Sequence, residues 1–155
     1  MIEQIVSGGQ TGIDRAALDI AIELKISHGG WCPRGRKAED GIIPRYYQLR
    51  ETGSDNYSER TKLNIKDSDG TLILISGSVP VTNGTMLTIQ EAKFREKPHL
   101  VVDLSKEFDV NLLSRWIKEN NVKVLNIAGP RESSSPGIYQ LGIQFLKNSL
   151  SPLVN

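Results

Sequence analysis

The first residues of the chain that could do chemistry form a glycine-rich turn, 7–12, between an apolar run and a helix-periodic stretch. Glycines let the backbone adopt positive φ and approach a ligand closely. The amides and the positive dipole end of the following helix favour an anion, usually a phosphate. The spacing Gly-Gly-x-x-Gly matches neither the dinucleotide-binding motif nor the Walker motif. The turn therefore predicts a phosphate-bearing ligand, with a tight turn that binds nothing as the alternative. The candidate binding residues are Gly8, Gly9, Gln10, Thr11, Gly12 and Arg15.

A second candidate loop carries three cations within four positions, Arg34, Arg36 and Lys37, beside glycines. Such a cluster could hold a phosphate or a carboxylate through charge-assisted hydrogen bonds. The alternative is a solvated basic turn that Glu39 and Asp40 neutralise. Because this loop follows a predicted strand and faces the first glycine turn, we expect Arg34 and Arg36 to contribute to binding.

Two further loops also follow predicted strands. The stretch 76–85 ends in Gly-Thr at a predicted helix start, where amides and a hydroxyl could bind an anion. The last strand leads into 128–133, from which Arg131 could reach the same crevice, although pairing with Glu132 is the simpler role. The candidates in these loops are Ser76, Asn83, Gly84, Thr85, Gly129 and Arg131.

The sequence offers no convincing catalytic set. We find no Ser-His-Asp order, no paired carboxylates in a plausible cleft loop and no nucleophile elbow. Cys32 has no second cysteine and no histidine at ligand spacing, and His28 and His99 are isolated in sequence. A metal site built by the protein is therefore not expected. The pattern indicates binding without an evident general base.

Alternating strands and helices must position these loops. Apolar runs at 2–6, 30–32, 71–75, 100–102 and 122–127 predict five short strands, and helices are predicted between and after them, the first over 14–25 and the last over 138–150. This order predicts an α/β fold with a parallel sheet and helices on both faces. Ligands of such sheets bind beyond the carboxyl ends of the strands. Only the long polar stretch 34–56 lacks a regular pattern. The residues expected on buried helix faces are Ile13, Ala17, Leu18, Ala21, Ile22, Leu24, Leu87, Ile89, Ala92, Phe94, Leu112, Leu113, Trp116, Ile117, Leu141, Phe145 and Leu146.

Size and composition favour one domain, 1–155, with a substantial core. A net charge of +1 argues against general binding of nucleic acid, which requires a basic surface. One cysteine allows no internal disulfide, which is typical of a reducing compartment. With no signal-like segment and no membrane-spanning apolar run, we expect a cytoplasmic protein without a membrane partner.

With these loops in view, the chain resembles the molybdenum cofactor carrier family over nearly its whole length. The matching blocks are 7–15, 30–36, 38–41, 57–64 with Arg60 and Thr61, 67–71 and 128–133. The resemblance implies a Rossmann-like, three-layer fold related to the lysine-decarboxylase-like phosphoribohydrolases. It also implies a homo-oligomer, a dimer or tetramer, and binding of the molybdenum cofactor, a pterin dithiolene (molybdopterin) with a phosphate tail.

The chain departs from this family and its relatives at two places. Asn83 stands where the family's third-strand loop has the first glycine of Gly-Gly-Thr, and asparagine tolerates left-handed φ better than most residues. The phosphoribohydrolases place glutamates directly after that turn, whereas this chain has Met86, Leu87 and Thr88. The sequence thus favours a carrier over a nucleotide hydrolase. A base from Asp14 or Glu39 keeps the hydrolase open, and a sensor of a nucleotide derivative is a third hypothesis.

Overall fold

The central element is a five-stranded parallel sheet, seen in a computed structural model that describes residues 1–77 and 83–154. Its strands are β1 (Gln4–Val6), β2 (Ser27–Gly29), β7 (Gly70–Ile75), β8 (His99–Asp103) and β9 (Val124–Ala128). They lie in the order β2-β1-β9-β7-β8, and every neighbouring pair is parallel. The predicted α/β architecture is confirmed. The carboxyl ends of the strands meet at one edge, as expected for a parallel sheet.

In the part of the chain that the structure describes, five α-helices flank the sheet: α1 (Ile13–Glu23), α2 (Tyr57–Lys66), α3 (Asn83–Phe94), α4 (Leu112–Glu119) and α5 (Ile138–Leu150). A short 3₁₀ turn, Ser151–Leu153, follows α5. Helices α1 and α5 pack closely because Gly142 has no side chain; a Cβ there would lie 2.8 Å from Cδ1 of Ile13. Within the described residues, no helix is long and apolar enough to cross a membrane.

The core lies between the sheet and its helices, and most residues expected on buried helix faces contribute to it. Three are exposed instead: Ile22 is 43% exposed, Leu141 38% and Phe94 82%. On α5 the buried positions are Ile138, Gly142, Phe145, Leu146, Ser149 and Leu150. Leu141 falls outside this stripe, because at 3.6 residues per turn it lies at the margin of the face that contacts α1. An apolar residue in a helical period does not by itself show which side of the helix is covered.

The second strand of the sheet begins three residues earlier than the apolar run at 30–32 predicted. The sheet strand is Ser27–Gly29, and the chain turns at Gly30, whose φ is +124°. A Cβ at Gly30 would lie 2.4 Å from the carbonyl oxygen of Ser7, so this turn requires glycine. After it, β3 (Trp31–Cys32) leaves the sheet and pairs in parallel with β6 (Arg50–Glu51).

The polar stretch 34–56 is therefore tied down by short strands rather than extended freely. In addition to the β3–β6 pair, β4 (Lys37–Ala38) and β5 (Gly41–Ile42) form an antiparallel hairpin. A second small core lies beneath it, formed by Leu18, Cys32, Ala38, Ile43 and Tyr47. This second core joins the loop that contains Arg34, Arg36 and Lys37 to helix α1, since it includes Ala38 and Leu18.

Candidate functional site

A cavity of about 250 Å³ opens at the carboxyl edge of the sheet, beyond β1, β7 and β9. Its described wall comes from the β1–α1 turn, α2, the start of α3 and the loop after β9. This is the place where parallel α/β sheets bind ligands. Of the residues singled out from the sequence, the cavity is lined by Gly8, Gln10, Gly84, Thr85, Gly129 and Arg131.

Four amides in and directly after the glycine-rich turn, those of Gly9, Gln10, Thr11 and Ile13, already donate hydrogen bonds within the chain. The Gly9 amide donates to Oγ of Ser7 at 3.4 Å, and the Gln10 amide donates to Oδ2 of Asp14 at 3.2 Å. The Thr11 amide donates to Oε1 of Gln10 at 3.0 Å, and the Ile13 amide donates to the carbonyl of Pro130 at 3.2 Å. The turn is thus held by its own side chains and by the loop after β9.

Gly9 and Gly12 serve the packing of this turn. Both have positive φ, +79° and +76°. A Cβ on Gly9 would lie 2.8 Å from Leu49 and 2.9 Å from Ile43, whereas one on Gly12 would lie 2.3 Å from the carbonyl oxygen of Pro130. Neither residue lines the described cavity wall, so their need for glycine has a structural cause.

Asp14 and Arg60 contribute charges to the wall that the sequence analysis did not include among the binding residues. Nη1 of Arg60 donates to the carbonyl of Gly8 at 2.9 Å and lies 3.3 Å from Oδ2 of Asp14. Burial raises the pKa of the Asp14 carboxyl, and the charge of Arg60 opposes that rise. The available signal for Arg60 was its place in one of the family-like blocks.

Arg131 lies near the same wall, beside Tyr57 at the start of α2. Its Cζ is 5.4 Å from the centre of the Tyr57 ring, and the Cζ of Arg60 is 5.2 Å from it. The alternative pairing with Glu132 is not seen: the Glu132 carboxylate accepts from the amides of Gly137 (2.6 Å) and Tyr139 (3.0 Å) at the start of α5. No salt bridge between described residues uses Arg131.

The described lining contains two guanidinium groups, Arg60 and Arg131, and one carboxylate, Asp14. With all three ionised, the lining carries one net positive charge. Because Arg60 is already paired with Asp14, Arg131 is the cation that remains for an anionic ligand. The cavity suits a ligand with one anionic group and neutral polar atoms.

The remaining predicted arginines lie elsewhere. Arg36 is buried, and its guanidinium donates to four carbonyl oxygens of the following loop, those of Ile43 (3.0 Å), Pro44 (2.8 Å), Tyr47 (2.9 Å) and Leu49 (3.4 Å). Arg15 pairs with Asp40 at 3.0 Å and donates to the carbonyl of Gly9. It lines a separate, open depression that includes Thr11 and Gly12. Arg34 is exposed.

Two predicted residues of the third loop also lie apart from the described wall. Ser76 directly follows β7 and does not line the cavity as described. Asn83 begins α3, and its side chain lies outside the described residues, as does the loop segment 78–82. Gly84 and Thr85 bring the start of α3 to the cavity.

Glu39 fastens three loops together at this edge. Its carboxylate accepts hydrogen bonds from the hydroxyl of Thr11 and from both the amide (3.2 Å) and the hydroxyl (2.5 Å) of Ser133. Partial desolvation opposes ionisation, but the bonds from Ser133 and Thr11 prevail and lower the pKa of Glu39. The β4–β5 hairpin, which contains Glu39, is thus bonded through one carboxylate to the β1–α1 turn and to the loop after β9.

Among the described residues, no group of three or more His, Cys, Asp or Glu side chains could hold a metal ion. Fold and site together define a Rossmann-like α/β protein with a small cavity at the carboxyl edge of its sheet, whose described lining is net positive. The chain belongs to the circularly permutated YpsA SLOG family, whose model matches residues 5–150.

A solved structure supports the same relationship. The chain is 45% identical to a putative molybdenum carrier protein from Syntrophus aciditrophicus SB, whose crystal structure superimposes with a TM-score of 0.92. The match covers 96% of this chain and 95% of that one. No curated protein matches the chain. The resemblance identified from the sequence blocks, and the Rossmann-like fold it implied, are confirmed.

Proposed function

We propose that the cavity binds the molybdenum cofactor, a phosphate-bearing pterin, and that the protein protects it and passes it on. The observation that carries this proposal is the guanidinium of Arg131, which lines the cavity and forms no salt bridge with a described residue, whereas Arg60 is paired with Asp14. A charge-assisted hydrogen bond to a phosphate oxygen is the strongest polar contact such a wall can offer. The molybdenum carrier described above, 45% identical to this chain, is consistent with this ligand.

The size of the cavity limits how such a ligand could bind. Pockets that enclose a small molecule commonly measure roughly 300–1,000 Å³, whereas this one measures about 250 Å³. It can therefore enclose one end of a phosphorylated pterin, with the rest of the ligand extending past the opening. Protection would depend on burying that end, and release would require no covalent chemistry.

The test is a titration of the purified protein with the molybdenum cofactor, with its metal-free pterin and with AMP. We expect binding of both pterin forms by calorimetry and slower oxidative decay of the bound cofactor. If the protein binds neither pterin form, the proposal is contradicted. Comparing the two forms also shows whether molybdenum contributes to recognition.

Hydrolysis of a nucleoside monophosphate is the second candidate, because Asp14 places a carboxyl group with a raised pKa in the cavity wall. General acid–base help from such a group is worth roughly two to four decades in rate. Release of free base from AMP that disappears in Asp14→Asn, without any protection of the cofactor, would favour a hydrolase over a carrier. Saturable binding of AMP without turnover or pterin binding would instead favour a sensor.

Assembly and location complete the proposal. We propose a homo-oligomer, a dimer or tetramer, on the strength of the family resemblance, and a cytoplasmic location, which the single cysteine favours. Light scattering coupled to size-exclusion chromatography measures the subunit number directly. A monomer at micromolar concentration would contradict the assembly without affecting the ligand site.

A further inference from the structure

The side chain of Gln10 contains a buried hydrogen-bond donor without a partner among the described residues. Its Oε1 accepts from the amides of Thr11 at 3.0 Å and Glu39 at 2.9 Å. Its Nε2 is buried and makes no hydrogen bond to a described residue, and Gln10 as a whole is only 4% exposed. Exchanging O and N would direct the NH₂ group at two N–H donors, so the hydrogen-bond network fixes this orientation.

An unpartnered buried donor is unusual, because buried polar groups in native proteins are almost always paired. Gln10 forms part of the cavity wall. A ligand atom that accepts a hydrogen bond from Nε2 would satisfy this donor. Two backbone amides hold the opposite end of the same side chain, so the donor is preorganised.

Asp14 supplies the complementary acceptor in the same wall. Both contacts that its carboxylate makes with described residues, with the Gln10 amide (3.2 Å) and with Arg60 (3.3 Å), involve Oδ2. A phosphate brought to this part of the wall would approach a carboxylate, and the amides of Gly9, Gln10 and Thr11 already donate to side-chain oxygens within the turn and at the start of α1. A ligand group that presents N–H donors would meet no such conflict.

We propose that Gln10 and Asp14 recognise the amino-oxo edge of a 2-amino-4-oxopyrimidine ring, as found in pterins. Nε2 of Gln10 donates to the ring oxygen, and the Asp14 carboxylate accepts from the ring N–H groups. The phosphate is left to Arg131. This inference rests on the proposed function and reverses the orientation that the glycine-rich turn suggested, since the ring, rather than the phosphate, contacts the β1–α1 turn.

The experiment compares two phosphorylated ligands that differ only at the ring edge. One is 6-hydroxymethylpterin monophosphate; the other is its lumazine counterpart, in which an oxo group replaces the 2-amino group. We expect the wild-type protein to bind the pterin at least tenfold more tightly by calorimetry, since the second oxo group faces a carboxylate. The Asp14→Asn variant should lose most of this preference.

Gln10→Glu tests the donor separately, because the variant keeps an oxygen for the amides of Thr11 and Glu39 but loses the N–H group. We expect at least tenfold weaker binding of the pterin. Gln140→Glu is the matched control: it adds the same charge at an exposed position outside the cavity and should leave binding unchanged. Far-ultraviolet circular dichroism and thermal unfolding verify that each variant is folded.

The outcomes separate the two proposals. If the wild-type protein binds both ligands equally, the ring-edge inference is overturned and the carrier function stands. If it binds neither, both proposals fail together. The wild-type comparison requires no variant, so the inference remains testable even if Asp14→Asn or Gln10→Glu does not fold.

Discussion

Asp14 at the start of α1 and Arg60 in the middle of α2 form an ion pair, with 3.3 Å between Oδ2 and Nη1, in the wall of the candidate cavity. Both side chains are largely buried, 8% and 13% exposed. Arg60 also bonds the carbonyl of Gly8, so it ties α2 to the β1–α1 turn. Because the charges of Asp14 and Arg60 compensate each other, Arg60 has a structural role in the cavity wall. Arg131, which forms no salt bridge with a described residue, is the arginine that we expect to contact a ligand.

Replacing Arg131 with Ala should weaken binding of a phosphorylated pterin by about 1.5–3 kcal/mol, the range for a hydrogen bond to a charged group. Calorimetry at constant ionic strength measures the change. Arg34→Ala is the matched control, because Arg34 is exposed and lies outside the described cavity wall. Equal losses in both variants would indicate a general electrostatic effect, and no loss in either would remove Arg131 from the site.

Replacing Arg36 with Ala should destabilise the fold rather than act on the ligand directly. The substitution leaves four buried or half-buried carbonyl oxygens without their donor. We expect a loss of roughly 3 kcal/mol in the free energy of unfolding, measured by urea denaturation. Lys37→Ala, at an exposed neighbour whose ammonium lies 4.0 Å from Asp55 and 5.2 Å from the centre of the Tyr57 ring, should change it by no more than about 1 kcal/mol. A fully stable Arg36→Ala protein would contradict this role.

Gly9→Ala and Gly35→Ala separate backbone strain from crowding. Both glycines have left-handed φ, +79° and +81°, so both substitutions carry a similar conformational cost of roughly 1–2 kcal/mol. Only at Gly9 would the new Cβ collide, with Leu49 and Ile43, whereas at Gly35 it meets open space. We expect Gly9→Ala to lose about 1–3 kcal/mol more in urea denaturation, the cost of overpacking. Equal losses would show that the turn relaxes freely.

The stability contribution of Asp103 should depend on pH. Hydrogen bonds from the Gly77 amide, and then from the hydroxyl and amide of Ser105, lower the pKa of Asp103 to about 2. An aspartate in an unfolded chain has a pKa of about 3.9. Between that pH and the lower pKa of the folded state, the folded protein binds fewer protons than the unfolded chain. The stabilisation is therefore present above about pH 4 and is lost as the pH falls towards 2.

Urea denaturation of the wild-type protein and of Asp103→Asn tests this at pH 6 and pH 2.5. The difference between the two proteins should be larger at pH 6 and should shrink at pH 2.5. Asp55→Asn, at an exposed carboxylate, provides a control for the general effect of removing one negative charge. A difference that does not change with pH would show that the carboxylate bonds of Asp103 do not stabilise the fold.

The local pattern of the sequence was enough to predict the architecture. Runs of β-branched and other apolar residues predicted four of the five sheet strands, whereas the run at 30–32 missed β2 and coincides with β3; the last helix was predicted over 138–150 as observed. Periodicity could not show that Ile22, Leu141 and Phe94 are exposed, because exposure depends on which neighbour covers a helix face.

The candidate site, like the fold, could be predicted from the sequence only in part. Residue type and position after a strand were enough to place Gln10 and Arg131 at the carboxyl edge of the sheet. The assignment of hydrogen bonds depended on the tertiary structure. Arg36 is enclosed by carbonyl groups that follow it in the chain, and Asp14 occupies the amide that a phosphate would need. Each depends on how the intervening backbone turns, which the spacing of residues in the sequence does not encode.

The sequence by itself determined most of the order of strands and helices, because this follows from local hydrophobic patterns and turn chemistry. Its blocks of family-like residues indicated the family, and the glycine-rich and cationic loops after its strands predicted the edge of the sheet at which a ligand would bind. Only the tertiary structure decided which charged groups are compensated internally and which remain for a ligand. The physical reason is that hydrogen-bond donors and acceptors are satisfied by whatever lies within about 3 Å in space, and at this site the partners come from α2, the hairpin and the loop after β9.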